Sequence, residues 1–132
     1  MLKHLPNTNT KGDAAVGIAI SYYTYNNYTV CIPLTDSQAF DLVVVDSNAD
    51  VRKIQIKYTS AIEKDGVHYV DLRTRNMYYS KNLDKSLFDD LFIVTSKGFI
   101  YIIPATCISG TVKLRLGEKY KEFLVKPISV NG

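Results

Sequence analysis

A chain of 132 residues, 46% apolar and 22% charged, has the composition of a folded globular protein and the length to build one domain with its own core. No run of about 18 apolar residues occurs, which excludes a membrane-spanning helix, and the opening MLKHLPNTNTKG lacks the apolar stretch of an export leader, which predicts a cytoplasmic protein. The net charge of +3 is too small to announce a nucleic-acid binder, so the placement of the cations says more than their sum.

Residues 1–10 show no periodic pattern and are expected to fray. From Lys11 to Tyr25 (KGDAAVGIAISYYTY), Ala15, Ile18, Ala19 and Tyr22 recur at helical spacing. Asp13 is expected in the first turn, where negative charge suits a helix N-terminus. Gly17 costs roughly 1 kcal/mol against alanine inside a helix, which predicts a close backbone approach there. Asn26 and Asn27 end the helix. Tyr28 to Pro33 reads as a strand, LTDSQA as a loop, and Phe40 to Val45 as a strand apolar on both faces and therefore central. DSNAD turns into a strand from Val51 to Tyr58, and EKDG turns into another from Val67 to Leu72. The basic segment RTRNMYYSKNLDK, Arg73 to Lys85, follows, with four cations, one acid and Tyr78 and Tyr79 interleaved; a short helical turn is expected near Asp84 to Phe88. Leu91 to Thr95 and Phe99 to Ile103 form a hairpin through SKG, and the tail reads as a short strand with a helical turn over Glu118 to Phe123. The predicted fold class is α+β, one helix packed on a mixed, mainly antiparallel sheet. Cys31 and Cys107 sit far apart in no metal-ligand spacing and read as small buried side chains in a reducing compartment. His4 and His68 are isolated and read as surface or packing residues.

One strand carries an oddity. Ile54 and Ile56 share one face, so Gln55 and Lys57 share the other. If the preceding strand pairs in simple register, Asp41 at its start reaches them, and an acid, an amide oxygen and an ammonium surround one point. Such oxygen donors suit Mg²⁺, which takes few protein ligands and keeps several waters. A lysine beside them can orient or deprotonate an attacking water, or stabilise charge on a phosphate. The same spacing also fits a plain surface ion pair between Asp41 and Lys57, with Gln55 solvated. No P-loop, dinucleotide glycine pattern or serine nucleophile elbow competes with this cluster.

Asp41, a stretch of strand and turn, then Gln55-Ile56-Lys57 resembles the signature of the PD-(D/E)XK nuclease superfamily. The segments TKGD, YTVCIPLTDSQAFDLVVVD, IQIKYTS, VDLRTRN and FDDLFIVTSKGFIYIIPA are similar to the small nucleases associated with bacterial group I introns, from Thr10 to Tyr120. The resemblance implies a restriction-endonuclease-like core and a homing-type endonuclease that hydrolyses duplex DNA at a specific site with Mg²⁺ or Mn²⁺. It implies Asp41 as metal ligand, Gln55 where a second acid usually stands, Ile56 as a backbone-carbonyl ligand and Lys57 as the catalytic lysine. Relatives often carry a glutamate on the first helix. Val16 holds that position here, and Asp13, three residues earlier, is the candidate to replace it. Lys11, Lys53, Arg73, Arg75, Tyr78 and Lys81 are candidates for DNA contacts, while Thr59 and Ser60 fit either phosphate ligands or turn residues. Cutting both strands needs two active sites or one acting twice, so a homo-oligomer, dimer or tetramer, is expected; Phe99 and Tyr101 fit either its interface or the core. Two further readings stay open: a Holliday-junction-resolvase-like enzyme on the same fold, and a non-catalytic DNA-binding relative in which Val16 records a lost site.

Overall fold

In the computed structural model, residues 8–35, 38–75 and 77–126 are described. The helix α1 spans Thr8–Tyr25. Its polar opening Thr-Asn-Thr joins the helix, which starts ahead of the Lys11 expected; residues 1–7 lie outside the described ones. The earlier start moves Asp13 out of the first turn, which holds no acid. Ala15, Ala19 and Tyr23 are the deeply buried positions, spaced four apart, whereas Ile18 is exposed and Tyr22 only half-buried. Two alanines in that stripe let the helix lie close to the sheet, and Tyr23 fills the space where the helix leaves it. Asn27 takes the left-handed φ of 67° that ends the helix, and the Asn26 side chain donates to the Tyr22 carbonyl at 2.8 Å.

Gly17 makes no close approach: it is exposed, and a Cβ built there meets nothing within 4 Å. Gly17→Ala is therefore expected to stabilise the protein by about 0.5–1 kcal/mol through helix propensity alone. A rise of a few degrees in the melting temperature followed by circular dichroism is the check.

The main sheet runs β1 (Thr29–Cys31), β2 (Leu42–Val45), β3 (Val51–Thr59), β7 (Asp90–Thr95), β8 (Ile100–Pro104) and β10 (Leu124–Val125). Every pairing is antiparallel except β3 with β7, which is parallel. All six residues of β7 are buried, so it takes the central place expected of β2, whose Val43 and Val45 are only partly covered. Leu42, Val44, Ile54, Ile56, Phe92 and Val94 meet α1 on one face. Leu91, Ile93 and Ile103 meet Val70, Leu72, Leu114 and Tyr120 on the other. Two consecutive acids pin the parallel pair in register. Asp89 exchanges hydrogen bonds with the Lys53 backbone, its carboxylate accepting the Lys53 N–H at 2.7 Å, and Asp90 takes the Arg52 guanidinium in a two-point bond at 2.5 and 2.8 Å.

The fourth strand, β4 (Tyr69–Asp71), pairs with β9 (Lys113–Arg115) in a small separate ladder. The basic loop holds a hairpin the pattern did not predict, β5 (Thr74–Arg75) with β6 (Ser80–Lys81). The helical turn expected over Asp84 to Phe88 is reduced to a single turn, in which the Leu87 N–H donates to the Asp84 carbonyl at 3.3 Å. The Asp84 carboxylate instead accepts the Ser86 N–H and hydroxyl at 3.0 and 2.6 Å, giving the backbone an alternative to a helix. The turn over Glu118–Phe123 is present as a 3₁₀ helix. Neither cysteine is buried: Cys31 ends the edge strand and Cys107 a short 3₁₀ turn, both exposed as free thiols. His68 is a packing residue against Ser96, and His4 lies outside the described residues. No helix among the described residues is long and apolar enough to cross a membrane.

Candidate active site

Leu42 is the register partner of Ile54, yet the Asp41 N–H also donates to the Ile54 carbonyl, at 2.8 Å. Two residues thus face one, as in a β-bulge, which re-aims a side chain at the end of a strand. The Asp41 carboxylate turns back onto β3 and accepts the Ile56 N–H at 2.7 Å. Residues 54 and 56 therefore direct their backbone polar groups toward the start of β2, and the Ile56 carbonyl leaves the strand on the side where Asp41 sits. Gln55 and Lys57 project from the face opposite α1. Asp41, Gln55 and Lys57 line one open cleft of about 400 Å³.

The pair is not a plain ion pair. Among the described residues no salt bridge or hydrogen bond joins Lys57 to Asp41. Burial pushes the Asp41 carboxyl above the usual carboxylate range, partly offset by the Ile56 N–H and the Lys57 charge. Burial likewise pushes the Lys57 ammonium down, against the pull of Asp41 and Asp71. Desolvation opposes the charge on both groups, and each is the other's partial compensation. Two titratable groups held away from their ordinary ranges in a cleft are what acid–base work at a phosphate requires.

The remaining candidates scatter. Asp13 is exposed on α1 and is not among the residues lining this cleft. Val16 is half-buried against the helix-side core. Lys11 lies 5.7 Å from the Tyr58 ring centroid and, with Ser60 and Asp71, lines a second hollow of about 370 Å³. Thr59 is committed to structure: its hydroxyl donates to the Tyr69 carbonyl at 2.5 Å and accepts the Ala61 N–H. Lys53 lies over Phe40, its ammonium 5.9 Å from the ring centroid. Lys81 lines the cleft of Asp41, Gln55 and Lys57, and Tyr78 stands exposed at the tip of the β5–β6 hairpin.

Arg73 and Arg75 are both held by Asp71, at 3.0 Å in each case. Burial would raise the Asp71 carboxyl, but its bonds from Arg73 and the nearby Lys57 hold it below the usual range. Asp71, together with the far wall of the cleft formed by Thr74, Tyr79, Asn82 and Asp84, was missed by the sequence reading. An acid followed at two and four residues by arginine, as in VDLRTR, was the available signal.

The sequence model of a family described as PD-(D/E)XK endonuclease matches residues 6–124. Among solved structures the chain is similar to one titled "The structure of a bacterial homing endonuclease: I-Ssp6803I", with 26% identity, a TM-score of 0.71, and coverage of 86% of this chain and 80% of that one. A comparison with curated proteins finds no match. The helix on a mainly antiparallel sheet, the bulged Asp41 and the Gln55-Ile56-Lys57 strand are thus found in a chain that belongs to the PD-(D/E)XK endonuclease family.

Proposed function

We propose that the whole chain acts as one nuclease domain, a metal-dependent endonuclease that hydrolyses phosphodiester bonds at a specific site in duplex DNA, in the manner of a homing enzyme. The observation that carries this is the convergence of Asp41, Gln55 and Lys57 on one open cleft, beside the Ile56 carbonyl. The carboxylate, the amide oxygen and the carbonyl are hard oxygen donors, with no thiolate or imidazole among them, and such a set fits Mg²⁺ or Mn²⁺. When bound, the metal supplies Lewis acidity toward a phosphoryl oxygen and an acidified water. Asp41 brings the donor set its one negative charge, and its bond from Ile56 N–H fixes the direction of that charge. Gln55 orients without adding charge. Lys57, with its pKa pushed down, holds or moves a proton at Nζ next to the scissile phosphate.

Two copies bring two such clefts, one for each strand, and the working form in this reading is a homo-oligomer. Phe99, half exposed where β7 turns into β8, is available for a contact between copies, whereas Tyr101 packs on the core. The two exposed free thiols suit a reducing compartment and support a cytoplasmic location. One observation favours a second reading, that of a non-catalytic DNA-binding relative: the donor set holds a single carboxylate, and the half-buried Val16 adds none.

Nicking and linearisation of a supercoiled plasmid library carrying candidate insertion sequences, in Mg²⁺ or Mn²⁺, tests the proposal. The enzyme reading expects cutting by the wild type and cutting slowed by about 10²-fold or more in Lys57→Ala. Cutting undiminished by the substitution removes this cleft from the chemistry. DNA binding without cutting by the wild type favours the non-catalytic relative, and four-way junctions cut in preference to linear duplex favour a resolvase. Metal affinity should also report on Asp41. The carboxyl must be ionised to ligate, and burial raises its pKa, so affinity is expected to fall on acidification at a higher pH than an ordinary carboxylate would give. Lys57→Gln removes a charge that holds the Asp41 carboxyl down, so the midpoint should move to still higher pH in calorimetric Mn²⁺ titrations.

A further inference from the structure

The β5–β6 hairpin is a short ribbon with a firm root and an apolar tip. Thr74 pairs with Lys81 and Arg75 with Ser80. On the β5 side Asp71 grips Arg73 and Arg75, and on the β6 side the Leu83 N–H donates to the Thr111 carbonyl at 2.9 Å. Thr74, Tyr79 and Lys81 form part of the wall of the same cleft that holds Asp41 and Lys57. At the tip, Met77 is 88% and Tyr78 87% exposed, so neither contributes to the core. Side by side, they leave an exposed patch at the tip that is available to a partner.

Charge and shape indicate the occupant. With Asp71 counted, the segment Asp71 to Lys85 carries four cations and two acids, a net charge of +2, which suits a polyanion rather than an apolar protein face. A two-stranded ribbon enters a major groove about 12 Å wide but not a minor groove about 6 Å wide. A tip made for phosphates would carry cations; this one carries a thioether and a phenol, which suit thymine methyls and base edges.

We propose that the β5–β6 hairpin is the base-reading arm of the nuclease, inserting Met77 and Tyr78 into the major groove next to the phosphate held at Lys57. The proposal rests on the endonuclease reading above. In this arrangement the Asp71–arginine clasp fixes the angle of the arm, and Lys81 at its root meets the backbone.

The test is selection of bound sequences from a library of randomised duplexes. The slow-cutting Lys57→Ala protein serves as parent, compared with the same protein carrying Met77→Ala and Tyr78→Ala. The parent is expected to enrich a motif. The tip variant is expected to lose preference over one contiguous block of base pairs and to bind the enriched duplex about 10- to 100-fold more weakly. Its affinity for random duplex and its salt dependence should be unchanged, because the phosphate contacts remain. An unchanged motif in the tip variant overturns the arm while leaving the nuclease reading intact, and so does a change in oligomeric mass, which would make the tip a contact between copies. A parent that enriches no sequence, together with a wild type that cuts no DNA, overturns both.

Discussion

Lys57→Ala is expected to slow DNA cleavage by about 10²- to 10⁴-fold, the contribution usual for a positioned proton-transfer group, while leaving the melting temperature level or slightly higher. The two halves of this expectation share one cause. Lys57 is half-buried with no ion-pair partner among the described residues, and burial pushes its pKa down, so keeping it charged works against folding. A group that costs stability yet sits beside Asp41 and Gln55 in an open cleft fits the chemistry proposed for that cleft. Single-turnover cleavage, a gel-shift titration and a thermal melt on the same preparations separate the contributions. Cleavage lost in step with a lower melting temperature and lost DNA binding would show that Lys57 serves packing and would sink its catalytic role.

Phe92→Ala carries the largest expected loss of stability. Phe92 is fully buried at the middle of β7, with ring centroids 5.8 Å from Tyr22 and 5.7 Å from Tyr23, and it is a central contact between α1 and the sheet. Emptying that position should destabilise by about 3–5 kcal/mol. For a chain of this length that corresponds to a fall in melting temperature of roughly 10–20 °C. Urea unfolding monitored by tyrosine fluorescence gives the number directly. A loss below about 1 kcal/mol would mean that the α1 face collapses into the space, and that Tyr22 and Tyr23 are less fixed than their ring geometry indicates.

The strand that carries Gln55 and Lys57 was legible because its evidence is local. Alternating Ile54, Gln55, Ile56 and Lys57 sets a period of two, the turn Asp46 to Asp50 brings β2 alongside, and those facts alone put Asp41 near Gln55 and Lys57. The fold class and the closing hairpin of β7 and β8 followed for the same reason. What escaped depends on partners far away in the chain. Val70 and Leu72 look like any half-buried strand, and nothing near them announces β9, some forty residues on, as their partner. Asp84 to Phe88 has helical composition, but one carboxylate bonded to Ser86 diverts it. The stripe on α1 slipped by one position because alanines at 15 and 19 set the approach to the sheet and Tyr23, not Tyr22, points into it. At the cleft, the bulge at Asp41 was invisible, since alternation predicts direction and says nothing of two residues sharing one carbonyl.

The parallel pairing of β3 with β7 has a consequence in time. β2 and β3 meet across the short turn Asp46 to Asp50, whereas β3 and β7 meet only after residues 60–89 have looped out and returned. Closing the longer loop costs more entropy before any contact repays it, so this step should set the folding rate. The edge of β3 that faces Asp41 can thus form early in folding. The far wall of the cleft lies inside the excursion and is completed only when Asp89 and Asp90 lock onto Lys53 and Arg52. A newly made chain therefore passes through a stage with its three chemical groups nearly in place and no walled cleft around them.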